Sequence, residues 1–191
     1  MKKIIIATAV IAVLTAASVT ALAVGLQADP LDGFDNETKT YILQMREKNE
    51  QLSDQTCLED IPATITLQQP LSAAQLQQYL MQHSIEAKYV TARIERPDGE
   101  RLTSAAALSS HSLQELESRL QQLAGDGTFK GFLSVQCFVD AVEIEGIQNA
   151  EETFLLDTGT TGAAVAYSAE ESSGFPTDLA WELEDALAKE D

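Results

Sequence analysis

The stretch of this chain best suited to chemistry is Phe154-Leu155-Leu156-Asp157-Thr158-Gly159-Thr160, where one acidic side chain closes an apolar run and is followed by a hydroxyl and a glycine. A carboxyl group in apolar surroundings keeps its proton to higher pH, and two such groups sharing a proton can activate water for peptide hydrolysis. Asp157, Thr158 and Gly159 are therefore the candidate catalytic residues. The motif occurs once, however, and the same residues also describe a helix ending at Thr158, with Gly159 as its cap and Gly162 in the next turn. The second reading is preferred, so no catalytic set is expected.

Other reactive side chains are few. His83 and His111, the two histidines, lack the spacing of a metal pair or of a Ser-His-Asp set. Cys57 and Cys137 have no neighbouring histidine and form neither a zinc nor a CxxC redox motif. In an oxidising compartment they could close a disulfide loop of about 80 residues, contributing roughly 4 kcal/mol; the other reading is two separate thiols, with Cys137 in an apolar run. There is no G-x-G-x-x-G, phosphate-binding loop, G-x-S-x-G, H-E-x-x-H or calcium-loop spacing, and neither cofactor nor metal is expected. Trp181, the only tryptophan, falls on the polar side of an amphipathic segment and is a candidate partner contact.

The N-terminus states a location. Met1-Lys2-Lys3 precedes 21 uncharged residues, Ile4 to Val24. An unbroken apolar helix of that length can cross about 30 Å of hydrocarbon, and the two lysines orient it with the N-terminus inside. The same stretch fits a signal peptide with its core at Ile4 to Leu14 and small residues at Ala21-Leu22-Ala23, where cleavage would release a secreted chain. Both readings export the rest, and the anchored, single-pass form is preferred. Beyond the leader, ten basic residues face thirty acidic ones, a net charge of −20. Such a chain repels phosphate backbones, so nucleic acid is excluded as a partner.

Residues 1–25 are thus the anchor or signal, and 26–56 a linker and stalk helix, with Asn36 to Asp54 forming a helix of thin apolar stripe (Tyr41, Met45, Leu52). Residues 57–168 are an α+β domain. Its first strand covers Ala63 to Leu67 and ends at Pro70; Ser72 and Gln75 then cap a helix, and a second strand covers Glu86 to Glu95. Arg96-Pro97-Asp98-Gly99-Glu100 turns the chain into a hairpin arm, and Ser112 and Glu115 cap a helix whose buried face is Leu113, Leu116, Leu120 and Leu123. Phe132 to Ile144 reads as a central strand, Asn149 as the cap of a helix from Ala150, and Ala163 to Ser168 as the last strand. Residues 169–191 are an acidic linker and a C-terminal amphipathic helix marked by Leu179, Leu183, Ala186 and Leu187.

Ala63 to Val90 and Val139 to Ala169 together resemble the paired strand-helix-strand units of ferredoxin-like exported domains, those of subtilisin-type propeptides and inhibitors. They are similar also to uncharacterised single-pass bacterial extracytoplasmic proteins. The resemblance implies a βαββαβ sandwich with sheet order 4-1-3-2, here with an inserted hairpin and helix between Arg96 and Phe129. That topology, with Ile65 near Val142, would hold Cys57 and Cys137 tens of ångströms apart. The propeptides inhibit through a C-terminal stretch, which Glu170-Glu171-Ser172-Ser173 replaces poorly. Separately, Leu155 to Gly159 resembles the catalytic loop of aspartic peptidases, and Val142 to Gly146 the strand preceding it in retropepsins. A homodimer would have to supply the second aspartate.

The expected function is a non-enzymatic interaction or sensing module held outside the cytoplasm at the membrane surface, its partner another extracytoplasmic protein. The alternatives are an inhibitor or chaperone of a secreted protease, and an aspartic-peptidase-like enzyme using Asp157.

Overall fold

A computed structural model of the chain describes residues 31–55, 57–109, 111–159 and 178–188. The apolar leader, the strand expected at Ala163 to Ser168 and the linker after it lie outside the described residues. The chain divides after Gly33, and all that follows concerns the unit from Phe34 onward. Its elements are α1 (Asn36–Ser53), β1 (Ile61–Leu71), α2 (Ala73–Gln82), β2 (Glu86–Glu95), β3 (Arg101–Ala107), α3 (Leu113–Ala124), β4 (Thr128–Val139), α4 (Ala141–Gln148), β5 (Thr153–Asp157) and α5 (Ala180–Leu187).

The strands make one antiparallel sheet in the order β3-β2-β4-β1-β5. Leaving aside β3, which extends the sheet beyond β2 as the hairpin arm, the order is the expected 4-1-3-2. The fold is α+β. Alternation along β1 sends Ile61, Ala63, Ile65 and Leu67 to one face, where Val135, Cys137 and Val90 join them and Leu76, Leu116, Leu120, Ile144 and Ile147 of the helices close the core. Each Val, Leu and Ile among them contributes roughly 1.5–3 kcal/mol on burial. The opposite face is hydroxyl-rich: Thr66, Ser134 and Thr91 lie in one cross-strand row, and Arg93 pairs with Thr103 in another.

Local signals explain the helix starts. Ser72 and Gln75 cap α2 reciprocally, with Leu71 and Leu76 buried on either side of the cap, and Ser112 and Glu115 do the same for α3. Pro70 does not end β1. The strand continues to Leu71, which pairs with Phe132 after a register shift, and there β4 passes so close that a Cβ on Gly131 (φ 136°) would meet the Leu71 carbonyl oxygen at 2.8 Å. Leu123, expected in the core, is exposed.

Three elements differ from the sequence reading. The long strand ends at Val139, and Val142 to Glu145 are helical: Asp140 is extended, Glu143 Oε2 turns back to its amide at 3.5 Å, and Ala141, Ile144 and Ile147 bury one helix face while Val142 stays exposed. Asn149 is the C-cap of that helix, its N–H donating to the Glu145 carbonyl at 3.1 Å, rather than the start of a new one. Residues 153–157 form a strand in place of a helix, and β5 takes the position beside β1 that Ala163 to Ser168 was expected to fill. The register also changes, with Ile65 opposite Val135 and Ala63 opposite Cys137.

Helix α1 lies on the domain, against α4 and β5. Arg46 donates to the Phe154 carbonyl at 3.2 Å and Asn49 to the Leu156 carbonyl at 2.6 Å. These carbonyls alternate along β5 as the two donors do along one helix face. The helix thereby occupies strand-edge groups that would otherwise invite another chain.

Candidate functional site

Asp157 ends β5, paired with Thr64 of β1. The chain then leaves the sheet through Gly159 (φ 53°), whose N–H donates to Asp157 Oδ1 at 2.8 Å. Tyr41 of α1 donates to Oδ2. The carboxyl is 2 % exposed, and burial pushes its pKa up, opposed by the Tyr41 and Gly159 hydrogen bonds and by the Lys48 charge. Lys48 is lowered by desolvation in turn, and its Nζ has no hydrogen-bond partner among the described residues. Thr158 donates to Asn49 Oδ1 at 2.9 Å, and the fully buried Asn49 also donates to Gln148 at 2.7 Å. The helix-cap reading of Asp157, Thr158 and Gly159 is therefore corrected. They form a strand end and a turn, with the acid sealed beneath α1.

A second polar centre stands on the hydroxyl-rich face, where α5 lies across the sheet. Arg93, only 2 % exposed, grips Glu184 with two nitrogens: Nε donates to Oε1 at 2.9 Å, and Nη2 lies 2.9 Å from Oε2. Arg101 of β3 reaches Glu184 at 3.0 Å and Asp185 at 2.6 Å. The Trp181 ring sits against both guanidinium groups, its centroid 3.7 Å from the Arg93 carbon and 4.8 Å from that of Arg101. Ala180, Leu183 and Ala186 face the sheet. At the start of the helix, Ser134 donates to Asp178 at 2.6 Å and the Leu179 amide donates to Thr66 Oγ1 at 3.0 Å.

The remaining candidates do not converge. Cys57 is exposed and Cys137 buried, both are free, and burial pushes the Cys137 thiol up to about 12; the considered disulfide is not formed. His83 closes α2 beside Tyr79, and His111 lies against Arg119. Among the described residues no group of three or more His, Cys, Asp and Glu side chains is placed to hold a metal ion, and no helix is long and apolar enough to cross a membrane. Shallow open clefts flank Lys88 and Phe138 at one end of the sheet.

Sequence reasoning found Asp157 and Trp181 and missed Tyr41, Asn49, Arg93 and Arg101. Arg93 did leave a signal, being the one cation within the apolar run Val90 to Ile94. Asn49 was visible only as a polar residue one helical turn beyond Met45. Comparison with protein-family models, with curated proteins and with solved structures finds no match for this chain.

Proposed function

We propose that this protein is an exported, non-enzymatic interaction module held at the membrane surface by its N-terminal segment, and that its domain is a ferredoxin-like sandwich with β3 and α3 as the insert. The observation that carries the reading is the contrast between a sheet face that holds a helix and a carboxyl that is sealed. The hydroxyl-rich sheet face holds α5 through two arginines that meet its acids and its indole, contacts suited to recognition, whereas Asp157, the carboxyl raised by burial, is closed off by Tyr41. The strand order β5-β1-β4-β2 supports the fold assignment. The uncharged run from Ile4 to Val24 supports the location.

Labelling with a membrane-impermeant maleimide tests the location, because Cys57 is exposed and Cys137 is not. Intact cells are expected to yield chain labelled at Cys57, retained in carbonate-washed membranes with the leader still present by mass spectrometry. Labelling only after lysis overturns export, and recovery of a mature chain beginning after Ala23 replaces anchoring with secretion.

One observation favours the peptidase reading: Asp157 stands at a strand end with a raised pKa, as a catalytic acid would. Acid-optimum peptide hydrolysis that disappears in Asp157→Asn would establish it. The expected result is no hydrolysis by either chain.

A further inference from the structure

We propose that the sheet face under α5 is a receptor for short acidic amphipathic helices of another exported protein, and that α5 is its occupant within the chain. The proposal rests on the interaction-module reading and names that module's partner by chemistry. The receptor groups belong to the sheet. Thr66, Ser134, Arg93 and Arg101 sit on four hydrogen-bonded strands whose ladders are complete without α5. The occupant is slight by comparison, a helix of eight residues, and two turns are too few to be stable alone in water. Its order therefore comes from the face it covers.

The contacts define what fits. Small residues at positions 180 and 186 and a leucine at 183 let the helix approach closely, an aromatic ring at 181 enters between two guanidinium groups, and acids three and four residues later meet both cations. Arg93 explains the selectivity for acid. With α5 in place it is almost wholly buried, and a buried guanidinium requires a fixed anion opposite. A neutral or basic helix would leave it unpaired. A second copy of the domain is a poorer occupant, because two chains of net charge −18 repel one another. α5 belongs to the same chain as the face it covers, so its docking is intramolecular, and a partner helix of the same pattern displaces it once its concentration exceeds the effective local one.

The test uses the full chain in detergent micelles and a fluorescent peptide of the sequence Asp178 to Asp191. Glu184→Arg, which sets a cation against Arg93, is expected to release α5, and the peptide should then bind at least about tenfold more tightly than it binds the native chain. Binding should weaken with salt and be lost when Arg101→Glu is added. Equal affinity for native and Glu184→Arg chains overturns occupancy by α5, and absence of binding to the Glu184→Arg chain, shown folded by circular dichroism, overturns the receptor. Should that variant not fold, unlabelled peptide carrying Trp181→Phe is titrated into the native chain. A saturable change in native Trp181 emission supports displacement, and unchanged emission at millimolar peptide overturns it. A dimer that exchanges α5 between copies, seen by sedimentation, also overturns the proposal. Peptidase activity would sink the interaction-module reading while leaving peptide binding intact, so the two failures are distinguishable.

Discussion

The sheet carries one polar centre at the end of β5 and another across β2 and β3, and a helix roofs each of them. The Asp157 centre lies under α1, 18 residues long, which packs on α4 as well as on β5 and fills strand-edge carbonyls with Arg46 and Asn49. The Arg93 centre lies under α5, eight residues long. In the first, burial raises the pKa of an acid, opposed by the Tyr41 and Gly159 hydrogen bonds and by the Lys48 charge. In the second, a buried cation meets a carboxylate fork. The difference teaches that burial alone does not mark a working site. An acid raised by burial under a long, multiply attached helix is a structural joint, whereas a charged pair under a short one is a contact that can be exchanged.

Asn49 is where the two roofs should differ most. Its side chain serves Leu156, Gln148 and Thr158, so Asn49→Ala orphans two buried groups and the half-buried Gln148 and is expected to cost about 3 kcal/mol, read as a lowered urea midpoint by circular dichroism. A loss near zero would show that α1 is no more essential than α5. Gly131→Ala comes next, at about 2–3 kcal/mol, because a side chain there meets the β1 backbone at a φ that L-residues avoid. This sets the scale for a fault in the sheet that both roofs share.

Asp157 should betray itself through pH. Its native carboxyl keeps a proton above the ordinary value of 3.8, so in the window above 3.8 the native state binds more protons than the unfolded state, and stability falls as pH rises. Asp157→Asn is expected to flatten that fall, measured as urea midpoints from about pH 4 to pH 7. The same pH dependence in the native and Asp157→Asn chains would refute the raised carboxyl. Lys48, lowered from its ordinary value, acts with the opposite sign in the alkaline range and does not interfere. The smallest effect belongs to α5. Glu184→Gln should change global stability by less than about 1 kcal/mol while altering Trp181 emission, and in the native chain that emission should change at lower urea than the helical signal. Coincident transitions would make the two roofs equivalent.

The legibility of the fold varied along the chain for physical reasons. The starts of α2 and α3 were plain because Ser72 with Gln75 and Ser112 with Glu115 settle their caps locally. The β2–β3 hairpin was plain because Pro97, Asp98 and Gly99 turn the chain. The segment after Val139 was misread because Val142 to Glu145 is too short to separate a period of two from one of 3.6. Asp140 with Glu143, and Ile147 three residues after Ile144, carried the helical signal. Of the polar centres, Asp157 and Trp181 were legible as single residues. Their partners were not, because Tyr41 lies 116 positions from Asp157 and Arg93 lies 91 from Glu184.

By itself the sequence determined the local elements whose causes lie within a few residues: caps, turn and the alternation of β1, together with the strongly acidic net charge. Tertiary structure decided the role of each chemically suggestive side chain. Whether Asp157 is an exposed acid or a sealed joint depends on α1 arriving from the other end of the domain, and whether Trp181 is bare or wedged between guanidinium groups depends on α5 crossing the sheet. The environment of a polar group is set by what covers it, and neighbours in sequence carry little information about a cover that comes from a hundred residues away.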